Sequence, residues 1–155
     1  MMRTTRVSTR IAVLVGVAAL ALAAPLGAGA SAPEPVRIET HEVFTGPNST
    51  AGTFTMSGAV SDSGISLVSF RLVGETIHVL KTLSGSGGTI TLAAQGVVRW
   101  TSPTTATFFA GHWRIVSGTG AYADLKGGGY PGASGFADFA TGTVAVVHEG
   151  QAHAD

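Results

Sequence analysis

Residues 117–129 read SGTGAYADLKGGG, and two incompatible folds hang on them. Gly118-Thr119-Gly120 followed by Ala123 comes close to the glycine fingerprint of dinucleotide-binding proteins. That fingerprint works only between a strand and a full helix, whose N-terminus faces the pyrophosphate, with an acidic residue about 20 positions further on. A strand precedes it in WRIV (113–116), but only Ala121 to Lys126 is free to be helical before Gly127-Gly128-Gly129 stops it, and Asp138 has no βαβ unit around it. A P-loop fails as well, since Lys126 has neither the G-x-x-x-x-G spacing before it nor Ser or Thr after it. The remaining reading is architectural. Gly118 and Gly120 supply positive φ for a tight turn, one helical turn sets Tyr122 and Leu125 on one side, and the following glycines release the chain into another strand.

Working outward from this turn, every neighbouring segment has the two-residue period of a strand. TATFFAGHWRIV (105–116) places Phe109, Trp113 and Ile115 on one face against Phe108, His112, Arg114 and Val116 on the other. TITLAAQGVVRW (89–100) has an apolar parity of Ile90, Leu92, Ala94, Gly96, Val98 and Trp100 and a mixed one containing Gln95 and Arg99. Val68, Phe70 and Leu72 alternate with Ser69 and Arg71, and ETIHVLKTL (75–83) is a further β-rich run. Phe54, Met56 and Val60 alternate with threonine and serine, Val36, Ile38 and Phe44 share a parity, and Val144, Val146 and His148 share another. TGPNST (45–50), SDSG (61–64), GSGG (85–88) and Pro103 supply the turns. Asn48-Ser49-Thr50 also fits a glycosylation acceptor and is read here as part of its turn. No apolar stripe of helical period follows residue 30. The fold class is therefore all-β, and an eight-stranded antiparallel barrel is favoured over a sandwich because closure removes edges that few Lys or Pro residues protect here.

Arg3, Arg6 and Arg10, the apolar run Ile11–Leu26 and Ala28-Gly29-Ala30 have the order of a secretory signal peptide, which gives an expected extracellular location. The expected organisation is a leader at 1–30, a proline-rich arm at 31–35, a barrel at 36–150 and a tail at 151–155, with no membrane span after the leader. Loss of the leader leaves six of the nine basic residues against nine acids, a formal charge of −3. Arg71, Lys81, Arg99, Arg114 and Lys126 are scattered singly, so no basic stripe marks a nucleic-acid partner. There is no cysteine, and the exported domain must be held by its core.

The Trp-containing strand, Ser117-Gly118-Thr119-Gly120-Ala121-Tyr122, Leu125, Gly127-Gly128-Gly129 and the Gly142-Thr143 strand together resemble the allene oxide cyclase and dirigent-protein barrel superfamily, in particular its small secreted bacterial members. The resemblance covers roughly residues 87–149 by motif. It implies a calycin-like eight-stranded barrel, often a homotrimer, whose apolar lumen guides cyclisation or coupling of hydrophobic or phenolic molecules without a bound cofactor. The polar lumen residues of the family have no alignable motif here, so activity as an isomerase does not follow.

Trp100, Phe109 and Trp113 lie on parities expected to point inward, where they form either a plain aromatic core or the wall of a ligand cavity. Gly96, with Ala94, leaves room beside them, and Tyr122 closes the barrel end. These five residues, Gly96, Trp100, Phe109, Trp113 and Tyr122, are the candidate contacts for a small hydrophobic or phenolic ligand. Arg99, His112 and Arg114 fall on the opposite parity and are expected at the surface. His41, His78, His112, His148 and His153 have no metal-ligand spacing, and the serines sit in turns without a G-x-S-x-G elbow, so neither a metal site nor a hydrolase triad is expected. Two function classes remain: a small-molecule binder or cofactor-free cyclase whose lumen confines an apolar substrate, or a non-catalytic extracellular structural or interaction protein whose barrel is filled by its own side chains.

Overall fold

The computed structural model describes residues 30–155; the leader expected at 1–30 lies outside them but for its last residue. Eight strands follow one another: β1 (Glu34–Gly46), β2 (Ser49–Gly58), β3 (Asp62–Val73), β4 (Thr76–Gly85), β5 (Gly88–Trp100), β6 (Thr105–Gly118), β7 (Leu125–Asp138) and β8 (Thr143–Ala154). Each pairs antiparallel with the next, and β1 pairs with β8 from Glu34↔Ala152 to Val43↔Thr143, so the sheet closes into a barrel with no free edge. The protein is thus the all-β, eight-stranded antiparallel barrel expected from the alternation. Strands reach further into both termini than expected. β1 starts inside the proline-rich arm, β8 occupies most of the tail, and Ser31 is bonded to Ala154 through its N–H (2.9 Å) and its hydroxyl. Among the described residues no helix is long and apolar enough to cross a membrane.

The opening stretch turns the chain. Gly120–Tyr122 form a single 3-10 turn between β6 and β7, and Gly120 has φ +61°. Gly118 serves differently from the expectation. Its φ is not positive; instead a Cβ there would lie 1.9 Å from the Tyr122 carbonyl oxygen, so only glycine lets the turn fold back on the strand. Tyr122 and Leu125 are buried together beneath this turn. The Tyr122 hydroxyl donates to Asp62, whose carboxylate also accepts from the N–H groups of Ser63 (2.8 Å), Ser86 (3.2 Å) and Gly87 (3.2 Å) and from the Ser86 hydroxyl (2.9 Å). These donors, the Tyr122 hydroxyl foremost, hold Asp62 far below the usual carboxylate range, while burial and then the Asp62 carboxylate push the Tyr122 phenol up to about 12.

Read along their inner parity, the strands divide the lumen into levels. β1 presents Val36 and Ile38, then Thr40 and Glu42, then Phe44; β4, running the other way, presents Ile77 and Val79, then Lys81, then Leu83. One half is packed solid by Ile38, Phe54, Leu83, Leu92, Trp113 and Tyr122 with their neighbours. The other half is not. Eight strands enclose a space that side chains can just fill, or that can leave a small cavity, and this barrel is filled at one end and hollow at the other.

Candidate functional site

Above the packed half lies a cavity of about 120 Å³, walled by Val68, Val79, Val98, Phe108 and Val146 and reached from the barrel end where β1, β3, β5 and β7 finish. The opening carries an arc of four aromatic rings in mutual contact. Trp100 and Phe139 have centroids 5.1 Å apart, Phe139 stacks on Phe44 at 4.9 Å, and Phe44 meets Phe70 edge-on at 6.3 Å. Each comes from a different element, so the arc depends on closure of the whole sheet. Trp100 is 54% exposed.

The cavity ends on a polar floor at the level of Thr40, Glu42, Ser66, Lys81 and His148, all of them buried. Lys81 Nζ lies 2.9 Å from Glu42 Oε1 and donates to Thr40 Oγ1 at 2.8 Å. Ser66 Oγ donates to Glu42 Oε1 (2.8 Å) and Thr50 Oγ1 to Glu42 Oε2 (2.6 Å). Burial works against the Glu42 charge, but the Lys81 ammonium and these hydroxyls outweigh it and bring the carboxyl below its ordinary range. Burial lowers Lys81, and Glu42 restores part of that loss. The 2.9 Å contact and the hydroxyls around it have the geometry of a buried ion pair, in which removing either partner would strand the other.

His148 completes the floor. It is 1% exposed, meets Trp113 edge-on with centroids 5.8 Å apart, and its Nδ1 has no hydrogen-bond partner. Burial, with the neighbouring Lys81 charge, drives its basicity well below that of a free imidazole, so the ring is neutral. Buried polar atoms are nearly always paired, and this one has no partner among the described residues. No nucleophile is set up here: Ser66 and Thr50 spend their protons on Glu42, and Glu42 is too fully engaged by Lys81 to act as a free base. Among the described residues no cluster of three or more His, Asp or Glu side chains has the arrangement to hold a metal.

The five residues singled out from the sequence fall at three levels. Trp100 and Gly96 line the cavity. Phe109 borders it, but its ring packs 5.0 Å from the exposed Arg99 guanidinium. The cause is a bulge at Ala110 (φ 51°), where β6 gains a residue against both neighbours, so that Phe108 faces the cavity contrary to the simple alternation. Trp113, 2% exposed, lies beneath the floor, its Nε1 donating to the Glu149 carbonyl at 2.9 Å, and Tyr122 closes the far end. Neither touches the cavity. Arg99, His112 and Arg114 are exposed as expected. The sequence reading missed Glu42, Lys81 and the role of His148, although the signal was present: each sits on the inner parity of its strand between or beside apolar residues. No known protein family, curated protein or solved structure matches this chain.

Proposed function

We propose that this protein binds a small, mainly apolar molecule in the hollow half of its barrel, entering through the aromatic arc and resting its polar end on the floor. The observation that carries this reading is the cavity itself, apolar along its walls and bounded below by His148 and the buried Lys81–Glu42 ion pair. Pockets that hold small molecules have this composition, apolar lining with a few convergent polar groups. The volume sets the scale of the ligand. An apolar protein cavity of about 150 Å³ takes a benzene-sized guest, so about 120 Å³ suits a single ring, with any longer portion lying in the mouth.

Binding without turnover is the form that the floor supports best, because its carboxylate is already saturated with donors. The resemblance to allene oxide cyclase and dirigent barrels, and the leader read at residues 1–30, extend the proposal to a secreted carrier or receptor of hydrophobic or phenolic compounds. The test uses Trp100, which stands in the mouth, as reporter. Titration with toluene and phenol should change its emission and raise the melting temperature of the wild-type protein, and Trp100→Phe should remove the emission change while keeping the thermal shift. If neither compound moves either signal, the barrel is a structural unit and the proposal falls.

A further inference from the structure

We propose that the open pole of the barrel is a membrane-contact surface, which settles its crown of apolar side chains into the headgroup layer of a zwitterionic lipid bilayer. The β1–β2, β3–β4, β5–β6 and β7–β8 turns all lie at that pole, and each brings apolar surface to it. The β3–β4 hairpin offers Leu72 (48% exposed) and Val73 (57%), β5 ends on the half-exposed Trp100, the β7–β8 turn holds Phe139 (45%), and the β1–β2 turn adds the exposed Pro47. The three turns at the packed pole, residues 59–61, 86–87 and 119–124, expose no large apolar side chain. Apolar surface gathered at one pole marks an interaction site, and tryptophan, with an apolar body and a polar N–H, is a side chain of the water–lipid boundary.

Charge and shape select lipid over protein. Arg71 and Arg99, both exposed, each precede an apolar residue of the crown, Leu72 and Trp100, so a guanidinium can meet a headgroup phosphate while its stem lies along apolar surface. Glu75 is exposed at the tip of the β3–β4 hairpin, and the Asp138 carboxylate accepts from the N–H groups of Ala140 (2.9 Å) and Thr141 (3.3 Å). The crown therefore presents both signs and no net charge, as a zwitterionic headgroup layer does, and the cost of burying Glu75 keeps it out of the hydrocarbon core. The formal −3 of residues 31–155 arises elsewhere: with the Glu42–Lys81 pair set aside, six acids stand against three bases outside the crown, which gives an anionic surface no advantage. A rigid partner docked on tips around an opening would leave the mouth as a void, and so would a second copy set mouth to mouth. Fluid lipid closes around each tip and fills the space between them.

The proposal goes beyond the binding reading and does not depend on it, because the contact is measured with no ligand added. The chain 31–155, whose barrel is closed by β1 and β8 and which lacks the apolar run 11–26, is sedimented with phosphatidylcholine vesicles. It should pellet with them, and partial replacement by phosphatidylglycerol should not tighten the binding. Lipids brominated near the headgroup should quench Trp100 and spare Trp113, which is buried beneath the floor. Trp100→Phe should abolish that quenching and keep most of the binding. Val73→Asp and Trp100→Glu should each weaken binding about tenfold or more, the scale of one apolar side chain withdrawn from an interface. Ile65→Asp and Leu67→Asp, at equally exposed positions on the outer wall of β3, should leave it unchanged, with melting temperatures reporting that each variant is folded. Absence of co-sedimentation, quenching that spares Trp100, equal losses from the crown and wall variants, tighter binding to the anionic vesicles, or a dimer that vesicles do not dissociate would each overturn the inference. Failure here leaves the toluene and phenol titration as it stands, and silence in that titration leaves the vesicle result intact.

Discussion

At the end of the barrel where the described residues begin and end, Trp113, Tyr122, Leu125 and Phe54 pack into one buried cluster, and a carboxylate with five donors clasps the turns together. At the other end four aromatic rings stand around an opening and the wall residues do not reach across it. The same eight strands build both. What differs is the size of the inward residues: β5 offers Ile90 and Leu92 to the packed half, then Ala94 and Gly96 at the floor of the hollow one. A packed core and a cavity are thereby assigned to separate lengths of the same strands.

The sharpest way to break this contrast is to remove one tryptophan from each end. Trp113→Ala empties a buried site in the packed half and should cost about 3–5 kcal/mol, measured by denaturant unfolding. Trp100→Ala, at a half-exposed position in the mouth, should cost well under half of that. Comparable losses would mean that the mouth is as much a part of the core as the packed end. Adding volume gives the converse. Ala152→Leu, in the packed half, should destabilise by about 1–3 kcal/mol through overpacking, whereas Ala94→Leu has a cavity to grow into and should be close to neutral while weakening toluene and phenol binding. If Ala94→Leu costs as much as Ala152→Leu, the space beside it is not available and the hollow half has been misjudged.

The smallest effect is on pH dependence and reports the boundary between the halves. His148 is held neutral when folded, with its folded pKa below its unfolded one, so the unfolded chain takes up the proton first as pH falls below about 6.5. Stability is therefore lost on acidification at up to about 1.4 kcal/mol per pH unit from this one group, beginning below that pH and continuing until the folded imidazole itself titrates. Removing the imidazole should flatten this slope. The lowered pKa values of Glu42 and Asp62 act in a separate window, their contribution being present above about pH 4 and lost below it. A wild-type stability that stays level between pH 6.5 and 5 would show that His148 is not the buried neutral group described above.

The barrel was legible from the sequence because alternation survives in single strands: Phe54 with Met56, or Val68 with Phe70 and Leu72, needs no knowledge of any other strand. The floor was not. Glu42 shares the parity of Ile38 and Phe44, and Lys81 that of Val79 and Leu83, yet an isolated charge is normally a solvated one, and nothing local to either strand marks these two as a pair. That they neutralise each other depends on the stagger of β1 against β4, which no local pattern encodes. The bulge at Ala110 was invisible for a related reason, since it is defined by the registers of β5 and β7 against β6. Phe139 escaped because it lies in the β7–β8 turn, outside any strand. Conversely, Trp113 and Tyr122 were linked to a cavity because large aromatic residues are equally suited to a wall and to a plug, and only the level at which each sits along the barrel distinguishes the two.

The pairing of β1 with β8, together with the bonds between Ser31 and Ala154, makes the described chain nearly a ring in which one junction happens not to be covalent. A short peptide joining residues 155 and 31 would complete it. The chain could then be opened at the Gly74–Glu75 hairpin without interrupting any strand, moving its ends from the plugged pole to the rim of the cavity mouth. The architecture thus offers two interchangeable attachment poles: one that keeps a tether clear of the entrance, and one that would hang it across the doorway.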